Sequence, residues 1–78
     1  MWHSKKKHPV PERDGLYVVA RFEDGEMADW STNYIFLKER GGWMPNNVGD
    51  PTCGVRGFTH WMSYREFRQM VETTERED

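Results

Sequence analysis

Leucine and isoleucine are nearly missing from this chain of 78 residues: Leu16, Leu37 and Ile35 are the only ones. A core filled by long aliphatic side chains is therefore excluded. Cysteine occurs once, at Cys53, so no intrachain disulfide can form. Small secreted domains depend on such cross-links, and the expectation is a cytoplasmic protein. No apolar run approaches the roughly 20 residues that a membrane-spanning helix requires. The opening MWHSKKKHPVP has no apolar segment behind its lysines, unlike a signal peptide. No membrane partner is expected.

What the chain has instead is charge and aromatic surface. Thirteen acidic residues against eleven Lys and Arg give a net charge of −2. The signs are unevenly placed: HSKKKH near the start is basic, and ETTERED at the end is acidic. Terminal runs of this kind are usually solvated tails. The three lysines Lys5, Lys6 and Lys7 fall short of the basic footprint of a nucleic-acid-binding domain, and overall acidity opposes phosphate binding. The four Trp, four Phe and three Tyr are the counterweight. Each aromatic ring can remove about 150–250 Å² from water, enough for a few of them to found a core. They either build that core or form a surface that grips a partner.

The hydrophobic spacing predicts sheet first and helix last. In GLYVVARFEDGEMADW, Leu16, Val18, Ala20 and Phe22 alternate on one face of a strand, and Tyr17, Val19 and Arg21 on the other. Asp24 and Gly25 tolerate positive φ and predict a two-residue turn, with a return strand over 26–31. A further strand is expected over 34–38 and a short one at Trp43 and Met44, stopped by Pro45. Residues 46–57, rich in Gly and Asn, read as a long loop. FTHWM reads as the last strand. Ser63 followed by Glu66 has the spacing of a capping box, and Tyr64, Phe67, Met70 and Val71 recur at helical intervals. The acidic end of that helix opposes its dipole, so it is expected to fray near Thr73.

These elements define the α+β class: a small twisted antiparallel sheet of four to five short strands with one C-terminal helix. The organisation expected is an extended, proline-containing arm over 1–13, a single domain over 14–72 and a frayed acidic tail over 73–78. The expected core is Leu16, Val18, Ala20, Phe22, Trp30, Ile35, Leu37, Phe58, Met62, Phe67 and Val71. Exposed edges on so short a sheet make a homodimer an expectation too.

Catalytic and metal chemistry find little footing. His3, His8, Cys53 and His60, with Asp50, do not have the paired spacing of a zinc site. A Cys53–His60 nucleophile and base lack any third group or oxyanion motif beside them. GDPTCGVRG lacks the Lys-Ser/Thr ending of a phosphate-binding loop, although Arg56 there has the donor geometry for an anion. His60, in a strand with Phe58 and Met62, reads as a structural histidine held by hydrogen bonds. No enzyme activity, metal or cofactor is expected.

In their order along the chain, Trp2, Tyr17–Val18, the Asp24–Gly25 turn, Trp43 and the run Thr59, His60, Trp61, Met62 resemble the small proteins of domain-of-unknown-function family 551. That family carries an early Trp, a Y-V strand followed by a DG turn, a further Trp and a T-H-W-M-P motif. The resemblance covers residues 2–62. After Met62 the family continues with proline, whereas Ser63 here opens a helix, so nothing about the helix carries over. The resemblance implies a bacterial or bacteriophage origin and no particular activity.

The function expected is that of a small non-catalytic binding module, a phage or prophage accessory protein that binds and blocks a host protein. Alternatives are sequestration of a nucleotide signal used in host defence, and a weak nucleic-acid contact through the basic arm. Trp43, Arg56, Trp61 and Tyr64 are the candidate binding residues.

Overall fold

A computed structural model describes residues 1–46 and 55–76 of the chain. Cys53, Asp50 and most of the expected 46–57 loop lie outside the described residues. Five strands are present among those described: β1 (His3–Ser4), β2 (Gly15–Glu23), β3 (Glu26–Leu37), β4 (Gly42–Pro45) and β5 (His60–Ser63). One helix, α1 (Tyr64–Arg76), follows β5 without a break. The strands make one open antiparallel sheet in the order β1-β5-β2-β3-β4. The α+β architecture is as the periodicity predicts.

The β2–β3 hairpin forms where Asp24 and Gly25 predict it. Glu23 pairs with Glu26, and the two residues between them have φ of 51° and 82°. Both positive values suit the right-handed twist of the flanking strands. Beyond the turn, however, β3 does not end at Ser31. It is a single strand of 12 residues, and the separate strands expected over 26–31 and 34–38 are its two halves. The polar run Ser31–Thr32–Asn33 is absorbed as a bulge: Val19 pairs with Ser31 but Tyr17 with Tyr34. An extra residue on one strand bends it and raises its twist without ending the ladder. Asn33 Oδ1 and its carbonyl then take the side-chain and backbone N–H groups of Asn46, each near 3 Å.

The fifth strand comes from the arm instead. His3 and Ser4 pair with Trp61 and His60, so the segment expected to stand outside the domain forms one edge of its sheet. Thr59 consolidates the junction: its N–H donates to the Ala20 carbonyl at 2.9 Å, and its carbonyl accepts from Lys5 N–H at 2.9 Å. At the other end of β5 the capping box is reciprocal. The Ser63 N–H donates to Glu66 Oε1, and the Glu66 N–H donates to Ser63 Oγ, both at 3.1 Å. Two N–H groups that a helix start leaves without partners are thereby satisfied. The helix continues to Arg76, past the fraying point expected at Thr73. Thr74 Oγ1 donates to the Met70 carbonyl on this last stretch.

The core differs from the expected one. Val18, Ala20, Phe58 and Met62 are buried as predicted. Leu16, Trp30 and Val71 are exposed instead, and Phe22, Ile35, Leu37 and Phe67 are half-buried. The principal cluster is Tyr17, Val19, Tyr34, Phe36, Val55, Phe58 and Trp61, with Trp43 packed against it. It lies on the Tyr17–Val19 face of β2, opposite the one expected. Both faces of β2 are apolar, and what decides between them is the cover. The arm and residues 55–58 lie over the aromatic face, whereas α1 runs mainly against β2 and β5.

Candidate binding surface

The aromatic face is built as an interior. Trp43 meets four rings, those of Tyr17, Phe36, Phe58 and Trp61, with centroids 5.2–5.8 Å away. These are edge-on or tilted contacts, the arrangement that ring quadrupoles favour. The indole N–H groups face the arm. Trp61 Nε1 donates to the His8 carbonyl at 2.7 Å, and Trp43 Nε1 donates to the Pro9 carbonyl at 3.1 Å. Lys5 Nζ sits 4.1 Å from the centre of the Phe58 ring. The tryptophans thus hold the arm over the cluster. Tyr34 supports the same face from below: its hydroxyl donates to the Val55 carbonyl at 3.0 Å and accepts from Val55 N–H at 2.8 Å.

A cleft remains where the arm meets the start of α1, lined by residues that include His3, His8, Arg13, Tyr17, Trp61 and Glu66. Several of its polar groups are already engaged. His3 Nε2 lies 3.0 and 2.9 Å from the two Glu66 oxygens, and the Tyr17 hydroxyl donates to the Arg13 carbonyl. Burial pushes the Glu66 carboxyl up, but hydrogen bonds from the Ser63 backbone, from His3 and from the Ser63 side chain outweigh it. The net effect holds Glu66 below the usual carboxylate value. Burial, then the nearby Asp14 charge, raises the Tyr17 phenol, so it stays a neutral donor. Among the described residues no group of three His, Cys, Asp or Glu side chains is placed to hold a metal ion.

The opposite face is open on its β3 side. Val18 and Ala20 on it are buried, but Ala20 pairs with Trp30, and Phe22 pairs with Met27. Trp30 is 56% exposed, Met27 45% and Leu16 41%. The helix adds Tyr64, Met70 and Val71, all exposed, and only Glu66 and Phe67 on α1 are half-buried. Tyr64 connects the two elements, because its hydroxyl donates to the Thr32 carbonyl at the β3 bulge, two residues from Trp30. Six of the eight large apolar side chains exposed among the described residues are on this side of the sheet or on α1. Exposed Trp, Tyr and Met side chains are the kind enriched in protein interfaces.

The structure therefore separates the four residues singled out in the sequence. Trp43 and Trp61 come together, but in the cluster under the arm, with Trp61 only 7% exposed. Arg56 is exposed at a turn beside the buried Val55. Tyr64 alone reaches the open apolar face. His60 Nδ1 lies 2.7 Å from Thr59 Oγ1, and its ring stands edge-on to Phe22. The residue missed was Trp30, which sequence reasoning placed in the core. One signal was available: around it, EMADWS lacks the apolar partners at alternate positions that a buried strand would carry.

No protein-family model, no curated protein and no solved structure matches the chain. Among the described residues no helix is long and apolar enough to cross a membrane.

Proposed function

We propose that the protein is a non-catalytic binding module that acts by occupying another protein through the face carrying Trp30. The observation that carries this reading is the contrast between two tryptophans. Trp61 has its ring buried and its N–H donated within the fold, whereas Trp30, paired with Ala20 on β2, is more than half exposed. Tryptophan is the side chain most enriched at energetic centres of protein interfaces, and an exposed one on a sheet face is poorly explained by stability. The resemblance of residues 2–62 to phage and prophage proteins adds a host protein as the partner and its blockade as the effect.

The test is a photo-reactive amino acid placed at position 30 and, as a control, at position 43. The expected result is one discrete adduct with a cellular protein from position 30 and none from position 43. That protein, purified, should bind the native chain and lose binding to Trp30→Ala. Equal binding by both chains, or no adduct from position 30, overturns the reading.

A further inference from the structure

The helix carries two stripes, and together they describe their own partner. Tyr64, Phe67, Met70 and Val71 form the apolar stripe, of which only Phe67 is half-buried against the domain. Beside it, positions 65, 68 and 72 follow at intervals of three and four residues, which puts them along one flank. In order these are Arg65, Arg68 and Glu72. The flank is basic in its first half and acidic in its second. An ion pair on it joins Arg68 to Glu72 at 4.0 Å, with both side chains largely in water. A shallow groove runs along this side, lined by Tyr64, Arg65, Arg68, Gln69 and Glu72.

A flank polarised this way is complementary to itself turned end for end. A two-fold axis across α1 pairs two helices antiparallel and brings the same flank of each copy together. Arg65 of one copy then faces Glu72 of the other, and the pair occurs twice. The axis crosses the helix between positions 68 and 69, midway between Arg65 and Glu72. Tyr64 and Val71, on the edge of the apolar stripe next to this flank, come together beside it. A parallel pairing would set arginine against arginine. We infer that the exposed edge of the stripe on α1 is covered by a second copy of this chain, in an antiparallel helix pair that buries Tyr64 and Val71 beside the Arg65–Glu72 pairs. This rests on the reading of the open face as a protein-binding surface and assigns its helical part. Trp30, on β3, stays available to a different protein.

Sedimentation equilibrium of the full chain at neutral pH and low salt tests it. The expected mass is twice the 9.3 kDa of one chain. Val71→Asp, at an exposed position, should raise the dimer dissociation constant at least tenfold while leaving the circular dichroism spectrum and melting curve of the monomer intact. Arg65→Glu alone should also weaken the dimer, and Arg65→Glu with Glu72→Arg should restore it, because the swap preserves complementarity only in the antiparallel arrangement. A monomer at all concentrations up to about 0.2 mM, a dimer indifferent to Val71→Asp, or a double swap no better than the single one would overturn the inference. Any of these leaves the Trp30 crosslink unaffected, so the two readings fail separately.

Discussion

The indole N–H of Trp61 donates to the backbone carbonyl of His8 at 2.7 Å, across 53 residues of chain. A core residue of the last strand thereby holds the arm that precedes the second. Trp61→Phe keeps most of the ring and removes the donor. The expected loss is about 1 kcal/mol in urea unfolding, the usual contribution of one such bond. The sharper readout is local. Trypsin should cut after Lys5, Lys6 or Lys7 several times faster in the variant, because the arm opens without unfolding of the domain.

Tyr34 makes both hydrogen bonds of a residue whose own backbone is buried. Its hydroxyl serves the N–H and the carbonyl of Val55 together, and Val55 is almost wholly buried. Tyr34→Phe leaves two buried polar groups without a partner, each costing about 1–3 kcal/mol. The expected destabilisation is about 2–4 kcal/mol, larger than for Trp61→Phe. Equilibrium denaturation of the two variants side by side checks the order.

The acid sensitivity of the fold should depend on Glu66. Its carboxyl is held below the ordinary 4.5 in the folded chain. The ionised form is thus favoured by folding, and the stability this contributes is fully present above the unfolded value. It is lost as pH falls below about 4.5 and through the lower folded value. Glu66→Gln removes that dependence. The variant should be about 1 kcal/mol less stable at pH 7, and the gap should close as both are titrated toward pH 3. Thermal melts across that range measure it.

The two exposed-face and cluster tryptophans should part company on truncation. Trp43→Ala removes a ring in contact with four others and should cost about 2–4 kcal/mol. Trp30→Ala removes a ring that is mostly in water and should change stability by no more than about 0.5 kcal/mol. Urea midpoints decide the matter.

Turn chemistry and capping were legible in the sequence because each is fixed by residues close together. Asp24 and Gly25 accept positive φ, and Ser63 and Glu66 stand the right three positions apart. The choice of core face was not legible. Tyr17 and Val19 are as apolar as Val18 and Ala20, so alternation marks two faces and does not rank them. The ranking comes from what lies over each face, and His8, Pro9 and Val55 reach the aromatic side from far along the chain. The continuity of β3 was hidden for a related reason. Ser31, Thr32 and Asn33 have turn-like composition, yet pairing on both sides carries the strand through them as a bulge. Tyr64, a candidate from the sequence, lies on the proposed surface, and Trp30 was hidden by its place in a strand. A tryptophan in a strand is assigned to the interior by default, and only the absence of cover over β3 shows otherwise.

The insertion of β5 between β1 and β2 has a consequence for synthesis. The hairpin of β2 and β3 can close as soon as it leaves the ribosome, since its contacts are local. One side of β2 must then wait, with Val18 and Val19 on an unsatisfied edge, until residues 60–63 emerge to pair with it. For that interval the nascent hairpin is a template for its own neighbours on the same messenger, a setting in which β-rich chains coaggregate. Lys5, Lys6 and Lys7 are already synthesised by then, and like charge of this kind on every chain opposes edge-to-edge pairing until the last strand slides into place.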